Sequence, residues 1–136
     1  MKKKSKTRPK RTTKRATHLR DAHRKSNLKY HEVLDNISDG VYQLNANGYF
    51  TFVNRAIVER SGISLEQFCR LHFLDIIDPE YHDLAKQNFQ RVMKGENETP
   101  YELSYRDAKG KVRIVEVSSR PIYEGETVVG SSGNLP

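Results

Sequence analysis

Residues 41–54 read Val41-Tyr42-Gln43-Leu44-Asn45-Ala46-Asn47-Gly48-Tyr49-Phe50-Thr51-Phe52-Val53-Asn54. Two β-rich runs flank Asn47-Gly48. An Asn-Gly pair in that setting marks a two-residue hairpin, because both turn positions want positive φ. The register that follows sets Ala46 opposite Tyr49, Leu44 opposite Thr51 and Tyr42 opposite Val53. Asn54 then has the side chain to cap a helix over Arg55–Ser61, and Gly62 stops it.

Working outward toward the C-terminus, Ser64 can cap Leu65–Arg70, with Gln67 as its capping-box partner. Leu71–Ile77 is apolar and reads as a short helix or turn. Asp78-Pro79-Glu80 opens a longer helix, with Asp as cap, Pro at the first helical position and Glu favouring the dipole. Leu84, Phe89, Val92 and Met93 give that helix an apolar side, and Gly95 ends it. Next, Tyr101, Leu103 and Tyr105 alternate with Glu102, Ser104 and Arg106. Asp107–Gly110 is a turn, Val112–Tyr123 a long strand pattern, Glu124-Gly125-Glu126 a second turn and Thr127–Ser132 a last strand. Two strands, several short helices, then three strands joined by turns make an α+β domain on an antiparallel sheet.

Toward the N-terminus, residues 19–38 read as a helix that Asp39-Gly40 ends, with Gly40 in the left-handed cap conformation. Tyr30, Val33 and Ile37 follow a three-then-four spacing with Leu34 beside them, an apolar stripe that needs covering. These four residues are the candidate contacts of a homodimer.

The chain divides sharply by charge. Residues 1–29 hold 13 Lys or Arg against one Asp, a net +12, whereas residues 30–136 hold 11 against 16 acids, a net −5. Before Leu19 the only apolar residues are Met1 and Ala16, too few to offset ordering entropy, so residues 1–18 read as a disordered basic tail. Its run of Lys2, Lys3, Lys4, Lys6, Arg8, Lys10, Arg11, Lys14 and Arg15 is a candidate contact for nucleic acid or an anionic surface by counterion release. No aromatic residue interleaves with it, which argues against stacking on single-stranded bases.

Several classes fall away. Cys69 is the lone cysteine, so no internal disulfide exists, and a reducing compartment fits. No apolar run is long enough for a membrane span, and the basic N-terminus leads into no apolar secretory core. The expected location is cytoplasmic. Of the acids Asp75, Asp78, Glu80 and Asp83, Asp78 and Glu80 have a helix-start explanation and Asp83 fits a solvated first turn, and no nucleophile or second acid is placed with them. The five histidines, 18, 23, 31, 72 and 82, lack zinc spacing. No phosphate-binding Gly loop and no nucleophile elbow is present. The expectation is a protein with no catalytic residue and no metal site.

The stretch from Asp39-Gly40-Val41 through Asn47-Gly48 to Asn54 resembles the opening of PAS domains. The resemblance continues through Gly62-Ile63-Ser64 with Glu66-Gln67-Phe68, then Leu74-Asp75-Ile76-Ile77-Asp78-Pro79-Glu80. It resumes at Tyr101–Arg106, Gly110, Val115–Ser118, Pro121-Ile122 and Val128-Val129-Gly130, so that the PAS domain would occupy 39–134. It implies a five-stranded antiparallel sheet with short helices over one face, and a sensory or regulatory role in a bacterial two-component or similar signalling system. That role runs through small-ligand sensing, dimer contacts or both. Arg70 departs from the Gly usual at its position. Phe73 stands where the light-oxygen-voltage subgroup has its flavin-reactive Cys, with Cys69 four residues earlier. Lys86 stands near the position of the haem His, with His82 one turn before. No flavin adduct and no haem is therefore expected. The chain stops at Gly133-Asn134-Leu135-Pro136, before the segment that leads such domains into a signalling helix, so the output protein or domain is expected outside this chain.

Candidate pocket residues are Phe68, His72, Phe73, Ile76, Phe89 and Met93 from the helical side, and Ser104 and Ser118 from the strands. The alternative function is a nucleic-acid-associated regulator, binding through the tail and dimerising through the PAS domain.

Overall fold

The computed structural model describes residues 29–97 and 100–136. The basic tail, its nine cationic candidates and the part of the leading helix before residue 29 lie outside these. A compact unit spans Leu34–Pro136. Its strands are β1 (Gly40–Asn45), β2 (Phe50–Val53), β3 (Tyr101–Arg106), β4 (Val112–Glu124) and β5 (Thr127–Leu135). Between β2 and β3 come helices α1 (Arg55–Ser61), α2 (Leu65–Phe68), α3 (Phe73–Ile76) and α4 (His82–Met93), with a 3-10 turn at Pro79–Tyr81 before α4. The sheet order is β2-β1-β5-β4-β3, and all of its pairs are antiparallel. The α+β architecture with a five-stranded sheet is thus as the sequence pattern and the PAS resemblance imply.

The opening hairpin differs in detail from its expected register. Tyr42 pairs Val53 as expected, but Leu44 pairs Phe50 rather than Thr51, and Thr51 is the extra residue of a bulge. The loop holds three residues instead of two. Gly48 N–H donates to Asn45 O at 3.0 Å, Asn45 N–H donates to Tyr49 O at 2.9 Å, and Gly48 alone needs φ +88. The β-rich runs fixed that a hairpin forms. The Asn45 side chain, accepting from the Asn47 and Tyr49 amides, selects the longer loop.

Asn54 does more than cap α1. It is fully buried, and its Oδ1 accepts from Val41 N–H and Ile57 N–H. Its Nδ2 donates to the Leu34 and Asp39 carbonyls. One side chain therefore pins the entry segment, β1 and α1, with every polar group satisfied. Gly62 ends α1 with φ +72, and Ser64 and Gln67 form the capping box of α2.

Four expectations about the leading segment and the caps are corrected. Helix is present over residues 29–35 and not as far as 38, so Ile37 falls beyond its end. Leu34 is buried against Val41 and Phe52 in its own chain rather than presented outward. Gly40 is an extended residue of β1; it is small because a Cβ there would meet Ile57 Cγ1 at 2.7 Å. Asp78 makes no side-chain cap. Its carboxylate instead accepts from Ser104 Oγ at 2.5 Å and Arg106 Nε at 3.2 Å.

The segment between α2 and α4 closes both edges of the sheet. At β2, Phe50 N–H donates to Leu71 O and Phe73 N–H to Gly48 O; at β3, Asp78 N–H donates to Ser104 O. Edge groups that would otherwise invite another strand are satisfied there.

Candidate functional site

The inner face of the sheet follows from strand alternation. Tyr42 and Leu44 of β1, Ser131 and Leu135 of β5, Val115, Val117 and Ser119 of β4, and Tyr101, Leu103 and Tyr105 of β3 point the same way. Phe50, Ile57, Phe68, Phe73, Ile76 and Ile77 close the space from the β2 side, and α4 covers it with Ala85, Phe89 and Val92. These three recur at i, i+4 and i+7, one face of a helix. The cavity between them measures about 90 Å³ and is partly open at its mouth.

Aromatic rings build its wall. Phe50 meets Phe68 edge-on with centroids 5.0 Å apart, and Phe73 lies 5.0 Å from Phe89. Tyr42 stands edge-on to Phe50 at 6.0 Å, and its ring occupies the space that a Cβ on Gly133 would take. The Tyr42 hydroxyl and Ser119 Oγ are hydrogen-bonded at 3.1 Å. Burial pushes the Tyr42 phenol well above the ordinary tyrosine range, and the nearby Tyr101 adds to this against the Ser119 bond. Tyr42 is therefore a neutral hydroxyl throughout the working pH range. Burial likewise raises Tyr105, with Arg113 and Arg60 acting against it. Among the described residues no charged side chain lines the cavity.

Of the candidate residues, the structure places Phe68, Phe73, Ile76 and Phe89 on this cavity; the other four lie elsewhere. His72 caps α3, its Nδ1 accepting from Leu74 N–H at 3.1 Å, and stacks on Phe73. Met93 flanks the buried face of α4, as Leu84 does on the other side, where it is 39% exposed; the buried residues are Ala85, Asn88 and Val92. Ser104 is tied to Asp78. Ser118 donates to Asn134 Oδ1 at 2.9 Å, and it is one residue out of phase with Val115, Val117 and Ser119. The sequence reading missed Tyr42, Ser119 and Ser131. The signal was available for Ser119, since it shares parity with Val115 and Val117, and a one-residue step changes face.

The residues at the positions marked by the resemblance do not fit a flavin adduct or a haem ligand. Phe73 offers no thiol, Lys86 is exposed, and His82 is spent on the Ile77 carbonyl, 2.8 Å from its Nε2. The cavity is also smaller than the roughly 150 Å³ of an engineered cavity that holds benzene.

An antiparallel five-stranded sheet with helices over its inner face, and an apolar cavity between the two layers, defines the class of sensory α+β domain to which the chain belongs. The chain matches the PAS fold over residues 28–135, and it belongs to that family. The methyl sulfide methyltransferase-associated sensor of Methanosarcina acetivorans is 31% identical over 113 residues, which are 82% of this chain and 11% of that protein. The chain thus spans about a tenth of that relative's length. Among solved structures, a domain of the sensory box sensor histidine kinase/response regulator from Geobacter sulfurreducens aligns with a TM-score of 0.67 at 21% identity, covering 81% of this chain and 92% of the other. A PAS domain from Colwellia psychrerythraea aligns with a TM-score of 0.71 at 16% identity, covering 79% and 92%. Among the described residues no helix is long and apolar enough to cross a membrane.

Proposed function

We propose that this PAS domain is a sensory and regulatory module in which a small molecule, held between α4 and the sheet, changes the contacts made to a signalling partner. The observation that carries this reading is the aromatic-walled cavity between α4 and the sheet, partly open at its mouth, with no charged lining residue among those described. Interiors are normally packed with few voids larger than a water molecule, so a chamber of this kind asks for an occupant. The sensor named among the relatives supports the same reading. Thermal unfolding of the protein against a panel of small molecules tests it. A ligand at a hundred times its Kd adds about 2.7 kcal/mol of stability, and Ala85→Leu, which puts side chain into the chamber, should abolish that gain. If no compound raises the melting temperature of the parent protein, or if Ala85→Leu leaves the gain intact, the cavity is not the sensing site.

A second reading, pairing with another copy of the chain, is favoured by the exposed apolar residues Tyr30, Val33 and Ile37, at 49%, 55% and 38% exposure. Leu34 supports it only indirectly, by anchoring the segment to β1 and β2. Val33→Glu should convert a sedimenting dimer into a folded monomer; a parent protein that is monomeric at tens of micromolar excludes it. The net +12 of residues 1–29 supports an added contact with nucleic acid or an anionic surface. Such binding should fall steeply with salt and disappear when residues 2–25 are deleted.

A further inference from the structure

Ser131 is the cavity residue that packing leaves unexplained. It lies on β5 between Leu44 of β1 and Pro121 of β4, is 2% exposed, and lines the chamber. Its hydroxyl has no hydrogen-bond partner among the described residues. No fully enclosed side-chain nitrogen or oxygen there lacks a partner, so the Ser131 oxygen is not sealed in protein but opens on the cavity. Three of the other lining hydroxyl residues are engaged. Tyr42 and Ser119 bond each other, and Tyr101 has a partner of its own; the Tyr105 ring lies on the same wall at the β3 edge, 9% exposed against 2% for Ser131. A buried hydroxyl that no protein group satisfies is an address for a ligand atom.

The rest of the chamber restricts what that ligand can be. Its described lining residues are aromatic, aliphatic or hydroxyl-bearing, and none is charged. A carboxylate or ammonium taken into such a site would leave its charge uncompensated, which its hydration strongly opposes. The volume of about 90 Å³ is below the roughly 150 Å³ that accommodates the six carbons of benzene. We propose that the cavity takes a neutral molecule of about four or five non-hydrogen atoms with one hydroxyl or carbonyl, anchored by a hydrogen bond to Ser131 Oγ. This rests on the reading of the cavity as the sensing site. A ligand so small has an affinity ceiling of roughly tens of micromolar, and millimolar binding is ordinary.

The test is a methyl NMR titration of the full chain with 1-propanol, with propionate and with dissolved xenon. 1-Propanol should give saturable shifts at the Val92, Leu103 and Val117 methyls, xenon should shift the same methyls, and propionate at equal concentration should not. Ser131→Ala should weaken 1-propanol about tenfold, the equivalent of one hydrogen bond, and leave xenon binding within about twofold. Xenon serves here as the control that the variant keeps its fold and its chamber. Equal binding of 1-propanol by Ser131→Ala overturns the anchor, and propionate binding as well as 1-propanol overturns the neutral class. Xenon shifts without any from 1-propanol overturn this inference and leave the cavity as the site. Absence of both removes the cavity reading along with it.

Discussion

Two hairpins in this domain share one construction and meet different surroundings. In each, an Asx residue starts a three-residue loop that a left-handed glycine closes. Asn45 Oδ1 accepts from the amides of Asn47 and Tyr49, and Asp107 Oδ1 from those of Lys109 and Lys111. Gly48 has φ +88 and Gly110 φ +81. The loop at Asn45 is packed: a Cβ on Gly48 would overlap His72 and come within 2.9 Å of Phe73 Cε1, and the Gly48 carbonyl accepts from Phe73 N–H. The loop at Asp107 is open at its glycine, with nothing within 4 Å of a Cβ at Gly110. The same local chemistry therefore serves as a joint against the cavity wall in one place, and in the other as a reversal that touches the end of α1 through Ala108 N–H, which donates to Ser61 O, while its glycine stays open.

The largest expected effect is at Gly48. Gly48→Ala combines left-handed strain, about 1–2 kcal/mol, with a forced displacement of His72 and Phe73, about 1–3 kcal/mol more. Denaturant unfolding should show a loss of about 3 kcal/mol, and ligand binding should weaken because Phe73 lines the chamber. A loss no larger than that of Gly110→Ala would show that the packing around Gly48 contributes nothing.

The Asx residues sharpen the comparison through pH. The Asp107 carboxylate sits below the ordinary aspartate range because the Lys111 amide donates to it, helped by the Arg113 side chain and the Lys109 amide and opposed by burial. A lowered folded-state pKa means that the unfolded chain takes up the proton first. Its stabilisation is complete above the unfolded value of about 3.9 and is lost as pH falls through the lower folded value. Asp107→Asn should therefore be less stable than the parent at neutral pH, with the gap closing as the pH falls below about 4. The Asn45 loop carries no such charge, so Asn45→Ala should show a pH-independent loss. Parallel acid-unfolding curves for the parent and Asp107→Asn would refute the charge-based difference.

The smallest expected effect is at Gly110, where only the backbone objects. Gly110→Ala should cost about 1 kcal/mol, visible as a modest drop in melting temperature with no change in cavity properties.

The contrast also explains what could be read in advance. The two loops, the cap at Asn54, the capping box at Ser64 and Gln67, and the alternation of Tyr101, Leu103 and Tyr105 all depend on contacts a few residues apart. Composition and spacing carry that information. The pocket was half legible. Phe68, Phe73, Ile76 and Phe89 are apolar residues on the helical side that had to face the sheet. The polar residues were chosen from the wrong face: Ser118 for Ser119, and Ser104, whose hydroxyl reaches Asp78 from 26 residues away.

By itself the sequence determined the α+β class, the order of elements and the hairpin and helix boundaries to within a few residues, because backbone preference and hydrophobic period are local. It also set the separation of a strongly basic start from an acidic remainder. Only the tertiary structure decided the bulge at Thr51, which restores the Tyr42–Val53 pairing after a three-residue loop. It alone buried Leu34 against Val41 and Phe52, and left Ser131 open to a chamber lined from all five strands and α1–α4. Those outcomes depend on which distant side chains compete for the same space, and such competition is settled only when the sheet and its helices close on one another.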